Sequence, residues 1–290
     1  MYSQITANKR KTWLLIAIAC AVIVVLSVAF GAAYNVDAGS SVVIGTIFAS
    51  IYSLFSYYFS DKIALSVNGA KQIEKKDAPE IWNIVENLCI ADGVPMPKIY
   101  IMDDAAPNAF ATGRDPQHAS IAFTTGLLSI LDKQELEGVT SHELSHIKNY
   151  DLRVMTIVVV LVGAIMIMSN IFLHSRFSGG GRKNDALVAF VLVGIVLSIL
   201  SPIFAQLIQL AVSRQREYLA DASGALLTRF PEGLASALEK ISRANVPMQN
   251  ANKATAHLFI ANPFGNKVAG WFSTHPPVEE RIKRLREMGG

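Results

Sequence analysis

The sequence predicts a mostly helical, polytopic membrane protein with four spanning helices and a water-facing part that carries a small β-sheet. Three observations lead there. Residues 12–36, 38–60, 154–175 and 186–213 contain no Asp, Glu, Lys or Arg, and each run exceeds the roughly 18 apolar residues that suffice for a membrane span. All 26 basic and 23 acidic side chains therefore fall on the rest of the chain, at the density of roughly a quarter typical of a water-soluble domain. Between the runs, apolar residues recur mainly at helical spacing, with only short segments of strand character.

The chain divides accordingly. Residues 1–61 form an N-terminal transmembrane hairpin, 62–153 a first water-facing part, 154–213 a second hairpin and 214–290 a second water-facing part. A wholly soluble globule and a disordered chain are both disfavoured by this composition. A net charge of +3 gives no footprint for nucleic acid. Two cysteines, one of them Cys20 inside an apolar run, supply neither a disulfide framework nor a thiolate metal site.

The first run follows Lys9-Arg10-Lys11 and resembles a secretion signal, but it is longer than the ~7–15 apolar residues of one, and a second run follows after only Asp37. A retained hairpin with a loop at 34–40 is the expectation. Basic residues flank both its ends (Lys9, Arg10 and Lys11 before, Lys62, Lys71, Lys75 and Lys76 after) and are absent from its loop, which places both ends in the cytoplasm.

In the first water-facing part, Ile81, Ile84, Val85 and Leu88 predict a helix over 78–92 that stops before Gly93. Residues 98–102 and 120–124 read as strands, separated by a turn-rich stretch containing Pro107, Asn108, Gly113 and Pro116. A helix over 131–149 opens on Asp132 and Glu135 in capping-box spacing and contains Gly138, which close packing against a neighbour would explain. The second hairpin's loop holds Ser178-Gly179-Gly180-Gly181, a flexible connector by composition, together with three basic residues. Two crossings return the chain to the side it left, so residues 214–290, with helices over 214–227, 234–241 and 277–288, share a compartment with 62–153.

The chemistry concentrates in His142-Glu143-Leu144-Ser145-His146 on the 131–149 helix. Residues four apart stand one turn above each other on one helix face, so both imidazoles can meet one metal ion while Glu143 is offset toward an open coordination position. A catalytic zinc site needs a third protein ligand, for which Glu217 is the best candidate; a surface ion pair with Arg214 or Arg216 is its plainer reading. Asp221, one turn on, could accept a hydrogen bond from His142 or His146 and fix its tautomer. His118, His174 and His257 read as ordinary histidines. His275, in Ser273-Thr274-His275-Pro276-Pro277, either caps the following helix or enters the site.

Together, His142–His146, the 217–221 run, Asn108-Ala109-Phe110-Ala111-Thr112-Gly113 and 273–277 resemble the membrane zinc proteases of the CAAX-prenyl-protease/HtpX family. The resemblance covers nearly the whole chain. It implies a zincin (gluzincin) catalytic domain holding one Zn2+ per chain on the cytoplasmic face of a bacterial inner membrane, acting on misfolded or damaged membrane proteins in quality control. It further makes Glu143 the general base, Asn108, Ala109 and Phe110 part of an exposed, substrate-binding edge strand, and His275 a stabiliser of the tetrahedral intermediate. The sequence leaves the oligomeric state open. A transporter or receptor is the rival from another class, disfavoured because no run contains a charged residue to mark an ion path. Prenylated C-terminal peptides are the rival substrate.

Overall fold

The computed structural model describes residues 2–33, 36–156, 214–252, 254–265 and 276–289. The second expected hairpin, from residue 157 on, and His275 lie outside these residues.

Helices α1 (Tyr2–Ala33) and α2 (Ala38–Val67) form the first hairpin. Both are longer than the charge-free runs, because backbone hydrogen bonding continues through the polar turns beyond an apolar stretch. Asp37 caps α2 by accepting from Ser40 N at 2.9 Å, which shortens the loop relative to expectation. Small residues let the two helices approach: a Cβ on Gly45 would stand 2.7 Å from Ser27 Cβ, as in membrane helix pairs generally. The outer face of α2 presents Ile44, Ile47, Phe48, Ile51, Leu54 and Phe55 to the surroundings, and both helices are long and apolar enough to cross a bilayer.

The water-facing part is built on a four-stranded mixed sheet of β1 (Lys71–Gln72), β2 (Lys98–Met102), β3 (Ala109–Gly113) and β4 (Ala119–Thr124), in the order β1-β2-β4-β3. Strands β2 and β4 run parallel, while β1 and β3 pair antiparallel at the two edges. The two-residue pleat sorts the side chains. Ile99, Ile121, Phe123, Ala109 and Ala111 face the main core, whereas Met102, Phe110 and Ala122 pack with Ala64 and Leu65 at the end of α2, and with Met248 and Phe259. The membrane hairpin is thus anchored directly under the sheet. Residues 109–113, within the stretch read by composition as turn-rich, are strand β3: Ala-Phe-Ala-Thr-Gly has little β-branching, but its pairing with β4 and burial on both faces override propensity.

Helices α3 (Pro79–Asp92) and α5 (Lys133–Lys148) follow expectation, and a short α4 (Thr125–Ile130) joins β4 to α5. Gly93 ends α3 at φ 69. The capping box of α5 is complete: Asp132 accepts from Glu135 N at 3.0 Å and Glu135 accepts from Asp132 N at 2.9 Å. Helices α6 (Arg214–Thr228) and α7 (Pro231–Ala244) pack against α5, and α8 (Val278–Met288) packs on α7 and α6. Gly138 is required where α7 begins, since a Cβ there would lie 2.6 Å from Leu234 N.

Candidate metal centre

Helix α5 is buried along nearly its whole length although it is not apolar. Thr140, Ser141, His142, Glu143, Ser145 and His146 are all almost inaccessible, and buried polar groups persist only where partners or function require them. Both serines are satisfied within the helix, Ser141 Oγ donating to Gly138 O and Ser145 Oγ to Ser141 O. His142 and His146 are left facing α6, and Glu143 takes a backbone hydrogen bond from Ala111 in β3.

The approach of α6 is set by Gly224, whose Cβ, were it present, would lie 2.9 Å from Ser141 Oγ and 3.0 Å from His142 N. This contact brings Glu217, two turns earlier, against the histidines. His142 Nε2 and His146 Nε2 are 3.2 Å apart, Glu217 Oε1 is 3.6 Å from the latter, and Glu217 Oε2 is 3.8 Å from the former. Donors bound tetrahedrally at about 2.0–2.1 Å stand roughly 3.3 Å from one another. The triad is thus spaced for one shared cation, and among the described residues its ligand atoms all lie within 4.8 Å of each other. Glu217 is buried, so any ion pair it makes is not a surface one; Arg216, whose charge acts on both Glu217 and Asp151, places its Nε 3.6 Å from Asp151 Oδ1.

Each imidazole has a carboxylate behind it. Asp221 Oδ1 faces His142 Nδ1 at 3.0 Å, and Asp151 Oδ2 bonds His146 Nδ1 at 3.2 Å. A carboxylate in that position holds the proton on Nδ1 and leaves Nε2 free to ligate. Of the two histidines, Asp221 lies against His142. Asp151 was not anticipated. It follows Tyr150, whose left-handed φ of 59 folds the chain back after α5, and short-range patterns do not reveal such a turn at a tyrosine.

Arg281 was missed as well. It is buried on α8 and binds Asp221 with two prongs. A signal existed, because Arg281 falls on the stripe Val278, Ile282 and Leu285 that packs against the core. An arginine on an apolar face needs a buried partner.

The electrostatics suit acid–base work. Burial pushes the Glu143 carboxyl up from the ordinary range, and the Glu217 charge adds to this, against the pull of the two imidazoles and a backbone hydrogen bond from Ala111. Burial opposes charge on His146, yet Asp151, Glu217 and Glu143 outweigh it and hold its pKa at about 9. Asp221 is likewise resisted by burial, but Arg281 and His142 keep it well below the usual carboxylate range.

The edge expected to be exposed at 109–112 is buried along its whole length, Ala111 and Thr112 included. Ala109 and Phe110 are fully buried, Ala109 O accepts from Ile260 N at 3.0 Å, and Phe110 bridges to Phe259. Asn108 is buried too: its Nδ2 donates to Ala261 O at 3.0 Å and its Oδ1 accepts from Ala261 N at 3.2 Å. Here Asn108 ties the 256–261 segment to the strand. The plain readings of two other histidines stand. His118 pairs with Asp115 at the surface, and His257 is a buried neutral residue 2.9 Å from Met155 O.

Comparison with known proteins gives a consistent result. Residues 75–289 match Peptidase family M48. The chain is 48% identical over 295 residues to a Protease HtpX homolog of Tropheryma whipplei (strain Twist), covering 100% of this chain and 99% of that protein. It is 45% identical to a Protease HtpX homolog of Dictyoglomus thermophilum over 99% of this chain and 95% of that one. The fold resembles the crystal structure of S. mikatae Ste24p, with a TM-score of 0.53 at 18% identity over 98% of this chain and 67% of that one.

Proposed function

Since the chain belongs to Peptidase family M48 and is a membrane metalloprotease, we propose that His142, His146 and Glu217 hold one zinc ion in a gluzincin site. The observation that carries this reading is the spacing of the three buried donors. Two imidazoles, freed of any Nε2 proton as metal binds, and one carboxylate are a donor set suited to catalytic zinc, three protein ligands leaving a fourth position for the reaction. A zinc ion held by these three residues would supply Lewis acidity for the scissile carbonyl and would bring the pKa of a water toward ~7.

The chain's own residues do the rest. Glu143 takes the proton from the attacking water and delivers it to the leaving amine, a two-way role that its raised pKa favours. Asp221 and Asp151 keep the protons of His142 and His146 on Nδ1. His275 is proposed to donate to the developing oxyanion, a contribution of about 3–4 kcal/mol for groups of this kind. An extended substrate would align with β3 by main-chain hydrogen bonds. At Asn108, Ala109 and Phe110 this requires the 256–261 segment to give way, and Ala111 and Thr112, buried as they stand, must be uncovered too.

We further propose that the second charge-free pair, 154–175 and 186–213, completes four spans. The catalytic parts 62–153 and 214–290 then face the cytoplasm at a bacterial inner membrane. Substrates are unfolded or damaged membrane proteins, and the role is quality control. The basic residues flanking the first hairpin and the absence of charge from all four runs support this arrangement.

The test combines metal content with cleavage. Purified full-length chain should contain one zinc, lose cleavage of an unstructured protein on chelation and regain it with zinc. Glu143→Ala should keep the zinc and leave the substrate intact. Turnover of this variant at the wild-type rate would remove Glu143 from the mechanism.

A further inference from the structure

The first turns of α1 reach the metal centre from the opposite end of the sequence. Asn8 is buried beside the turn that follows α5, and its Nδ2 donates to Asp151 Oδ1 at 2.7 Å and to Asn149 O at 3.0 Å. Asp151 is the carboxylate whose other oxygen bonds His146 Nδ1. One oxygen thus points to the proposed ligand and the other to the membrane helix, where Asn8 is the hydrogen-bond donor at 2.7 Å and Arg216 Nε stands further off at 3.6 Å, so Asn8 helps set the rotation of the carboxylate plane. By holding Asn149 O as well, it clips both sides of Tyr150, which sits at φ 59. A non-glycine residue in that conformation needs its surroundings to hold it there. A second contact joins the same two parts, because Lys9 Nζ lies 4.8 Å from the centre of the Tyr150 ring.

We infer that Asn8 is a positioning residue of the metal centre, acting through Asp151 on His146, so that a complete site forms only when α1 is docked against the catalytic part. Groups behind a ligating histidine typically change metal affinity by about 10–100-fold when removed. Asn8 stands one step further out, and the lower end of that range is expected. The inference rests on the zinc-site reading above.

The experiment uses the full chain in detergent, stripped of metal, with zinc affinity measured by chelator competition and the visible spectrum recorded after cobalt loading. Asn8→Ala should weaken zinc binding by about tenfold and shift the cobalt bands. Asn8→Asp, which keeps the shape but sets a carboxylate against Asp151, should weaken it at least as much. In an Asp151→Ala background, Asn8→Ala should add nothing. Leu15→Ala removes a buried side chain two turns along α1 while keeping Asn8 and its two hydrogen bonds, so zinc affinity should stay unchanged as long as the helix remains docked. Unchanged affinity in Asn8→Ala, effects additive with Asp151→Ala, or an equal loss in Leu15→Ala would each overturn the positioning role while leaving the zinc site standing. A wild-type chain that takes up neither zinc nor cobalt would overturn the zinc site itself, and this inference with it.

Discussion

Arg281 grips Asp221 with two parallel hydrogen bonds, Nε to Oδ2 at 2.9 Å and Nη2 to Oδ1 at 2.7 Å, and reaches Ile260 O with Nη1 at 3.3 Å. The same Asp221 faces His142, and Arg281 Nη1 lies 3.9 Å from Glu217 Oε2. One buried cation therefore balances the two carboxylates that α6 contributes to the site.

Removing that cation should damage both fold and metal binding. Arg281→Met leaves Asp221 buried without its counter-charge, and broken buried pairs cost about 3–5 kcal/mol. Arg281→Lys should rescue little, because a point charge cannot reproduce the fork. The double variant Arg281→Met with Asp221→Leu removes the stranded charge and should recover most of the stability but not the zinc affinity. Denaturant unfolding and chelator competition on the three variants check this; full metal binding in the double variant would show that Asp221 does not orient His142.

Glu217→Gln keeps the shape of the side chain and removes its charge. Zinc content should fall well below one per chain, with the fold retained. The measurement is metal analysis after desalting, beside circular dichroism. If zinc stoichiometry is unchanged, another residue is the third ligand and the position of α6 has a different purpose.

How much of this was legible in the sequence follows from the range of each interaction. His142, Glu143 and His146 are set by one helical turn, and the capping box by three residues, so local spacing singles them out. Glu217, proposed because the site needed a third ligand, is the residue that the fold brings beside both histidines. Asp151, Arg281 and Asn8 escaped because their partners are set by tertiary placement: Asp151 turns back through the left-handed Tyr150, and Asn8 meets it from 143 residues away. Strand β3 was weakly written for the same reason, since burial and pairing to β4 hold a segment with little strand propensity of its own.

Gly224 controls how closely α6 lies on α5, and thereby whether Glu217 reaches the histidines. A Cβ there would meet the His142 backbone nitrogen at 3.0 Å, and that atom cannot swing aside as a side chain could. Gly224→Ala should destabilise the chain by roughly 1–3 kcal/mol through overpacking and weaken zinc binding by displacing Glu217. An equivalent loss of stability with full zinc affinity would mean that the helices separate elsewhere along their length.

His257 gives the chain a pH dependence separate from the metal ligands. Burial lowers its pKa to about 4, only partly offset by the hydrogen bond to Met155 O. In the unfolded chain the imidazole takes up a proton near its ordinary value of 6.5; in the folded chain it stays neutral until about 4. Between these values the unfolded state binds more protons, so stability is full above pH 6.5 and is lost as pH falls toward 4, by up to roughly 3 kcal/mol. Other ionisable groups add their own pH dependence, which makes the informative quantity the difference between two proteins. His257→Gln removes the titration and keeps an amide donor for Met155 O. Metal-free wild type should lose more stability than metal-free His257→Gln between pH 7 and pH 5 in denaturant unfolding. Parallel stability curves for the two would show that His257 takes up its proton without opening the core around it.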